Sequence, residues 1–318
     1  MKLRNVAVVG VAVVVLWGGW SRPRAQGGTP SRVTKEQFER WMTELSNWGR
    51  WGDDDERGAL NLITPKKVRE AAALVRTGET VSLSQQLRRR AAEAVPGPRP
   101  VNTGGALTNV FRKQGGALFE RQEIEYHGGA ISHFDALCHV SYEGQIYNGY
   151  DFDEVVTDGG CSRSSVLTAQ GGIVTRGLLL DLPETRVTPE VMAAWEARTG
   201  LTVSSGDVLL LRTRREGSGL TGFMIHGYGP SLIPFLKERD VAMIGADIPQ
   251  EGGAIDGVFI PIHTWTLVSA GMNLLDNLDL HAVAETAARL NRYEFMLVVE
   301  PLKVENGAGS AVNAVAIF

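Results

Sequence analysis

The seven residues from His133 to His139 constrain this chain more than any other stretch. They read His-Phe-Asp-Ala-Leu-Cys-His, so two imidazoles and one carboxylate stand among otherwise apolar side chains. In an extended strand, side chains two positions apart share a face, which places Asp135 beside His133. A turn after Ala136 would bring His139 back toward them. The segment therefore predicts that two metal ligands and a base come from one strand and turn.

The spacing of the histidines supports a metal or catalytic site here. The chain has six histidines, and three of them, His127, His133 and His139, fall within thirteen positions. The alternative is that polar residues cluster beside a buried strand and are each satisfied by a hydrogen bond. The aspartate at the one spacing that shares a strand face with His133 favours the metal or catalytic interpretation.

With these residues the chain resembles the cyclase family of metal-dependent hydrolases, which includes bacterial kynurenine formamidase and isatin hydrolase. The family motif is H-x-G-T-H-x-D-x-P-x-H, and His133, Asp135 and His139 align with its second His, its Asp and its third His. Ser132 replaces Thr and Leu137 replaces Pro. The resemblance implies that His133 and Asp135 are metal ligands and that His139 is the general base.

The first histidine of the motif is missing, because Gly129 occupies its place. In the family this histidine helps to hold a second ion in the two-zinc members, so a single-metal site is expected here. His127 lies two residues earlier, on the same face if the strand continues. It either substitutes for the missing ligand or touches the substrate.

A second pair of ligands is implied later in the chain. The family has a His followed about a dozen residues later by a Glu, in an apolar segment that ends in Asn-Leu. Here His263 precedes Leu-Leu-Asp-Asn-Leu at residues 274–278. His263 and Asp276 take the two ligand places, with Asp for Glu and one extra residue of spacing.

Further matching stretches at residues 51–62, 206–210 and 245–247 extend the resemblance to roughly residues 45–318, closest to the longer bacterial branch of the family. It implies an α/β fold, a swivelling β/β/α domain with a mixed sheet and flanking helices. Family members commonly form dimers or tetramers, so a homodimer or homotetramer is expected. The apolar run 311–318 is a candidate interface segment.

Local patterns are typical of an α/β protein. A helix is predicted from Pro65 to Val75, with Thr64 as its N-cap and Gly78 at its end. Residues 89–117, rich in proline and glycine, predict a long loop of the kind that forms lids or pocket walls. Strands are predicted at 81–83, 173–181, 208–213, 241–246 and 295–299, and helices at 189–199, 231–238 and 280–290.

Residues 1–25 have the layout of a secretory signal. Lys2 and Arg4 precede an apolar run from Val6 to Trp17, followed by small and polar residues. Cleavage after Ala25 would leave a single catalytic domain, residues 26–318, in the periplasm or secreted. The alternative is an uncleaved membrane anchor, although the run is shorter than the ~20 residues of a spanning helix.

The net charge bears on whether the protein binds nucleic acid, and the two cysteines raise the question of a disulfide. Loss of the leader removes four basic and no acidic residues, which takes the formal net charge from −4 to −8 and argues against nucleic acid as a partner. Cys138 and Cys161 would allow one disulfide in an oxidising compartment. Because Cys138 lies inside the motif, where a buried cysteine acts as a small hydrophobe, free thiols are expected.

These residues predict one divalent ion, since two histidines, two carboxylates and no thiolate suit zinc, manganese or iron. The carboxylates favour manganese, and exported proteins also acquire zinc readily, so manganese or zinc is expected. The predicted reaction is hydrolysis of a C–N bond in a cyclic or N-formyl amide, with His139 as the base. The alternatives are a cyclase or dehydratase without net hydrolysis, and a non-catalytic exported metal-binding protein.

The predicted substrate is a small molecule, an aromatic or cyclic amide. Trp41, Trp48 and Trp51 cluster in sequence and form either core packing or a flat wall for an aromatic ring. Trp51 is therefore a candidate substrate contact. His226, in a loop before a predicted helix, is another, or simply caps the turn.

Overall fold

One mixed sheet of nine strands organises the described part of the chain. The computed structural model describes residues 32–87, 106–213 and 224–318. The strands are β1 (Thr80–Ser82), β2 (Ala106–Gln114), β3 (Ala117–Glu125), β4 (His133–Asp135), β5 (Val156–Thr157), β6 (Gly160–Cys161), β7 (Ile173–Asp181), β8 (Arg186–Val187), β9 (Val208–Arg212), β10 (Gly227–Tyr228), β11 (Met243–Ala246), β12 (Asn273–Asp276), β13 (Glu294–Val299), β14 (Gly309–Ala311) and β15 (Val315–Ile317). The order in the large sheet is β1-β15-β13-β7-β9-β11-β12-β4-β14.

The centre of this sheet is parallel and its flanks are antiparallel. Strands β7, β9, β11 and β12 run parallel to one another. Along β7, Leu178 and Leu180 pack into one hydrophobic cluster and Leu179 into the other. Both faces of the sheet are therefore covered, which explains why β7, β9 and β11 are predominantly apolar. The α/β class and mixed sheet expected from the sequence are present.

Helices cover the sheet and begin where the sequence places their caps. In α2, Pro65 takes the first position and the Thr64 hydroxyl accepts a hydrogen bond from the Lys67 amide. The helix α4 ends at Gly200 in the left-handed conformation. The helices are α1 (Lys35–Glu44), α2 (Pro65–Ala72), α3 (Phe152–Val155), α4 (Pro189–Thr199), α5 (Ile233–Glu238), α6 (Pro261–His263), which continues as a π-helix over Thr264–Ala270, and α7 (His281–Leu290), with 3₁₀ turns at Gly58–Leu62, Tyr147–Gly149, Val166–Ala169 and Pro230–Leu232.

The predicted loop over residues 89–117 is wrong in its second part. Strands β2 and β3 pair as an antiparallel hairpin from Ala106 to Glu125. Gly115 and Gly116 both have positive φ, as the favoured two-residue hairpin turn requires. These glycines mark a tight turn and not an irregular loop. Residues 89–105, like the predicted leader at 1–25, lie outside the described residues.

The apolar C-terminal run, a candidate interface segment, forms an inner strand of the large sheet, and its part in an interface stays a prediction. Strand β15 pairs with β1 on one side and β13 on the other, and Phe318 is fully buried. Val312, Ala314, Ala316 and Phe318 are therefore buried within the same chain, whereas Val315 and Ile317 are half-buried. Val33–Phe318 form one compact unit. Among the helices in the described ranges, none has the length and apolar character needed to cross a membrane.

Candidate metal centre

A pocket of about 380 Å³ lies beside β4, β12 and the start of α6. It contains every residue that the sequence predicts as a ligand or a base, together with the predicted contact His127. Its lining is His127, Gly128, Gly129, His133, Asp135, His139, Pro249, Ile260, His263 and Asp276.

Two neighbouring strands bring three of these side chains together. Strand β4 carries His133 and Asp135 on one face, as its alternation predicts. Strand β12 runs antiparallel to it and places Asp276 directly opposite His133. After the strand, the His139 amide donates to the Ala136 carbonyl at 3.0 Å, so the predicted turn is present and returns His139 to the pocket.

Asp135 is the most unusual group in this pocket. Its side chain is fully buried, and neither carboxylate oxygen has a hydrogen-bond partner among the described residues. Oδ1 lies 3.4 Å from His127 Nε2 and 3.5 Å from His133 Nε2. Burial alone would raise the pKa of Asp135, but the imidazoles of His139, His133 and His127 outweigh burial and hold the pKa well below its usual range. A buried carboxylate without hydrogen bonds is costly unless a cation compensates it.

His263 faces carboxylates on both of its ring nitrogens. Nε2 lies 3.3 Å from Asp276 Oδ2 and 4.0 Å from Asp135 Oδ2, while Nδ1 is 2.8 Å from Glu251 Oε1. Burial opposes the charged imidazolium, but Asp276 and Glu251 together outweigh burial and raise the pKa of His263 well above its usual value. The ring therefore sits where a positive charge is strongly favoured.

Hydrogen bonds behind the pocket orient the other candidate ligands. His133 Nδ1 lies 2.7 Å from the carbonyl of Ile131, which can only accept, so we assign the proton to Nδ1 and leave Nε2 facing Asp135. Gln250 Nε2 donates to Asp276 Oδ1 at 2.7 Å. Such partners fix ring tautomers and carboxylate rotamers in metal sites.

His127 and His139 also lie close to Asp135, in a different arrangement. Nitrogen atoms of both rings and an oxygen of Asp135 lie within 4.8 Å of one another. The two rings are stacked, with centroids 4.0 Å apart and planes only 5° from parallel. A ring nitrogen binds an ion in the plane of its own ring, and two stacked planes do not meet at one ion. This geometry does not suit His127 and His139 as joint ligands.

His139 instead has the properties of a base. Burial, together with the nearby imidazoles of His127 and His263, lowers the pKa of His139 to about 4 against the opposing charge of Asp135. The ring is therefore neutral at neutral pH, the form that accepts a proton.

The predicted ligand set fits a divalent cation. Ligand atoms of His133, Asp135 and Asp276 lie within 4.8 Å of one another, and His263 Nε2 adjoins both carboxylates. Two imidazoles and two carboxylates are donors that zinc and manganese accept. The two oxygens of Asp135, buried without a hydrogen-bond partner among the described residues, are the observation that makes this fit specific.

His127 reaches the pocket in a way that the sequence did not indicate. Strand β3 ends at Glu125, and residues 127–131 bend, so the expected continuing strand is absent. Trp51 and His226 are not among the described residues that line the pocket. The guanidinium carbon of Arg50 lies over the Trp51 ring, 4.8 Å from the ring centroid. His226 directly precedes β10. Contact of Trp51 and His226 with substrate stays a prediction.

Sequence reasoning missed Glu251 and Gln250, both fully buried behind the pocket. They stand in the turn-like segment Pro-Gln-Glu-Gly-Gly at residues 249–253, which shows no ligand spacing. The only sequence signal was a carboxylate and an amide next to a proline within an otherwise apolar region.

The expectation of free thiols is wrong. Cys138 and Cys161 form a disulfide that closes a sequence separation of 23 residues. The turn after β4 places Cys138 next to β6, which carries Cys161, and both side chains are buried. The disulfide ties the turn that carries His139 to a separate two-stranded ribbon.

The fold and the pocket together define an α/β protein with a candidate metal centre at the edge of its parallel strands. The family model described as "Putative cyclase" matches residues 56–251. The chain therefore belongs to the cyclase family. No curated protein sequence matches the chain.

Solved structures have the same fold. A crystal structure described as a novel cyclase is 25% identical, with a TM-score of 0.74 over 87% of this chain and 99% of its own. Isatin hydrolase A from Ralstonia solanacearum is 20% identical, with a TM-score of 0.51 over 80% of this chain and 97% of its own. A predicted metal-dependent hydrolase from Bacillus stearothermophilus is 15% identical, with a TM-score of 0.50 over 75% and 97%. The fold is thus related to that of metal-dependent hydrolases such as isatin hydrolase.

Proposed function

We propose that this protein is a metal-dependent hydrolase that cleaves a C–N bond in a cyclic or N-formyl amide. One divalent ion, manganese or zinc, is held by His133, Asp135, His263 and Asp276. The observation that carries the proposal is the buried carboxylate of Asp135, which has imidazoles around it and no hydrogen bond to either oxygen.

The chemistry follows from these groups. When bound, a divalent ion supplies an electrophile that polarises the substrate carbonyl and lowers the pKa of water. His139 takes one proton from the attacking water and later delivers it to the leaving nitrogen. The water oxygen joins the carbonyl carbon as the C–N bond breaks, so a cyclic amide opens to a carboxylate and an amine, and the second proton of the water is released to solvent. The neutral imidazole of His139 supports this role.

The lining of the pocket supports a small, partly apolar substrate. Pro249 and Ile260 face the same space as the imidazoles, so one wall is apolar and the other polar. The fold shared with isatin hydrolase fits a cyclic aromatic amide. We propose Trp51 and His226 as further substrate contacts, although neither residue lines the pocket.

A cyclase or dehydratase is the second candidate, favoured by the name of the matching family. It would use the same ion and base to form an enolate without consuming water. The mass of the product separates the two reactions, because hydrolysis adds one water to the substrate.

Metal content tests the proposal directly. Elemental analysis of the purified protein should find one equivalent of manganese or zinc, lost in His133→Ala and His263→Ala and retained in the matched control His281→Ala, which begins α7 outside the pocket lining. Two equivalents would mean that His127 helps to hold a second ion. No metal in the wild type, or metal retained in both pocket variants, would overturn the hydrolase mechanism. Normal metal content without turnover of any amide would favour a non-catalytic metal-binding protein.

We propose further that the chain is exported, with a leader cleaved after Ala25 or kept as a membrane anchor. The Cys138–Cys161 disulfide supports export, since disulfides persist in oxidising compartments and are rare in the cytosol. Mass spectrometry of the mature N-terminus distinguishes a cleaved leader from a retained one.

A further inference from the structure

Glu251 is a fully buried carboxylate that points at the start of α6. Its Oε2 accepts from the Ile262 amide at 3.1 Å, and its Oε1 accepts from the His263 amide at 2.8 Å. These amides belong to the first turn of a helix, where N–H groups have no partner within the helix. The residue at the N-cap position, Ile260, offers no side-chain hydrogen bond. Glu251 therefore caps this helix from a distant segment.

The same carboxylate also contacts the ring of His263. Oε1 lies 2.8 Å from Nδ1, so one oxygen holds both the backbone and the side chain of this residue. Both amides donate to Glu251, and a carboxylate that accepts at both oxygens has no proton to give to the ring. The proton of this contact is therefore on Nδ1, and Nε2 is the nitrogen that faces Asp276 and Asp135.

We propose that Glu251 is the positioning residue of the candidate metal centre. It sets the tautomer and the orientation of His263, with Nδ1 protonated and Nε2 directed at the two pocket carboxylates. The inference rests on the proposed function for its consequence on metal affinity. The hydrogen bonds of Glu251 themselves do not depend on a bound metal.

A purely structural cap would require only the two amides. The ring contact adds something that a cap does not need, because it selects which nitrogen can bind an ion. In metal sites, removal of a partner that orients a ligand typically weakens metal binding 10- to 100-fold. A double-mutant cycle separates the two roles, because residues that act through one another have non-additive effects.

The experiment uses the full-length mature protein and zinc alone as the probe. Zinc affinity is measured for the wild type, Glu251→Gln, His263→Ala and the double variant, in titrations that extend to zinc concentrations high enough to fill the weakened site of His263→Ala, which loses its ion on purification. We expect Glu251→Gln to weaken zinc binding about 10- to 100-fold in the wild-type background and to have no further effect once His263 is alanine. Equal effects of Glu251→Gln in both backgrounds would overturn the proposal and leave Glu251 as a cap only.

A second readout needs no metal. In ¹⁵N-resolved NMR spectra, the Nδ1–H proton of His263 should be downfield and protected from exchange with solvent, and Glu251→Gln should remove this signal. An unchanged signal in the variant, or a wild-type ring protonated only on Nε2, would overturn the proposal even if the variant folds poorly. If the wild type binds no zinc, the proposed function fails while this readout still decides the role of Glu251.

Glu196→Gln is the matched control. Its carboxylate also accepts a backbone hydrogen bond, from Val203 at 2.9 Å, but it lies in α4, outside the pocket lining. We expect it to leave both the zinc affinity and the His263 signal unchanged. If Glu196→Gln also weakened zinc binding or removed the His263 signal, general destabilisation would explain the effect of Glu251→Gln, and the assignment would be overturned.

Discussion

Asp276 lies directly opposite His133 in the antiparallel pairing of β12 with β4, and its Oδ2 is 3.3 Å from His263 Nε2. The side chain thus lies between two imidazoles that come from distant parts of the chain. Aspartate stands here where the family pattern has glutamate. Its shorter side chain still reaches the centre because the strand register brings its backbone next to His133.

Asp276→Asn should weaken zinc or manganese binding by at least about 10-fold, because the amide keeps the shape and removes the negative charge. Titration calorimetry of the metal-free protein measures the change. Asp181→Asn, on β7 and outside the pocket lining, is the control and should bind as the wild type does. Equal affinities for Asp276→Asn and the wild type would remove Asp276 from the ligand set.

The metal-free protein should lose stability as the pH falls from 6.5 toward 4, in part because of His139. Burial lowers the pKa of His139 from 6.5 to about 4 in the folded state, so only the unfolded chain binds this proton between those values. The stabilising contribution is therefore present above the unfolded pKa and lost as the pH falls through the folded one. Its full size is on the order of 3 kcal/mol.

Urea unfolding at a series of pH values tests this assignment to His139. The free energy of unfolding of His139→Gln should change less between pH 6.5 and 4 than that of the wild type. His281→Gln should keep the wild-type dependence. If the free energy of unfolding of His139→Gln depends on pH as that of the wild type does, a group other than His139 binds the proton.

Removal of the Cys138–Cys161 disulfide should lower the free energy of unfolding by about 3 kcal/mol, because it releases a loop with a sequence separation of 23 residues. The measurement compares the Cys138→Ser/Cys161→Ser variant with the wild type in urea. Wild-type protein under reducing conditions should approach the value of the variant. An unchanged free energy would mean that the thiols are not joined in solution.

Gly271→Ala should destabilise the protein by about 3 kcal/mol or more, since a methyl group there would overlap the ring of Tyr147 in the closely packed core. Gly271 also has a φ of +61°, so alanine is strained as well. Gly78→Ala separates backbone strain from steric overlap, because Gly78 has a φ of +73° and nothing within 4 Å of an added methyl group. The control should lose only about 1 kcal/mol. Similar losses in both variants, measured by urea unfolding, would show that overlap contributes little.

The hairpin β2–β3 should mediate self-association into a homodimer or homotetramer. Leu118 and Phe111 share one of its faces, Phe119 and Val110 share the other, and all four are at least 45% exposed. Among the described residues the hairpin pairs with no third strand, and a two-stranded hairpin by itself is at best marginally stable, so cover from a second copy would stabilise it. Light scattering should find an oligomer whose mass falls in Leu118→Lys/Phe119→Lys.

Leu302→Lys is the control for this association, since Leu302 is 58% exposed and lies outside the hairpin. It should leave the mass unchanged. A monomeric wild type, or an oligomer that is unaffected by the paired lysine substitutions, would contradict this role of the hairpin.

Local signals were enough to predict two elements to the residue. The strand Ile173–Asp181 is rich in β-branched and apolar residues, and the helix Pro189–Thr199 has a threonine cap, a proline at its first position and a glycine after its end. Likewise, the alternation in His133-Phe134-Asp135 was sufficient to place two pocket side chains on one face. Each of these features depends only on residues close in sequence.

Features that depend on distant partners were not predictable in this way. Glu251 binds His263 only because a turn and a helix start meet in space, and no spacing in the sequence marks that contact. The disulfide depends on β6 lying beside the turn after β4. The hairpin was hidden because its strands carry no clear alternation of apolar and polar residues and follow a segment rich in proline.

The place of β4 between β12 and β14 also bears on when an ion can be acquired. Asn273 Nδ2 donates to the Asp135 carbonyl at 2.9 Å across 138 positions of sequence, and β14 is later still. Ligands so far apart in sequence meet only after β4 and β12 have paired, so we expect the complete site to form late in folding. If the chain crosses a membrane unfolded, as the proposed leader implies, it folds and loads on the far side. The metal supply of that compartment would then decide which ion the enzyme carries.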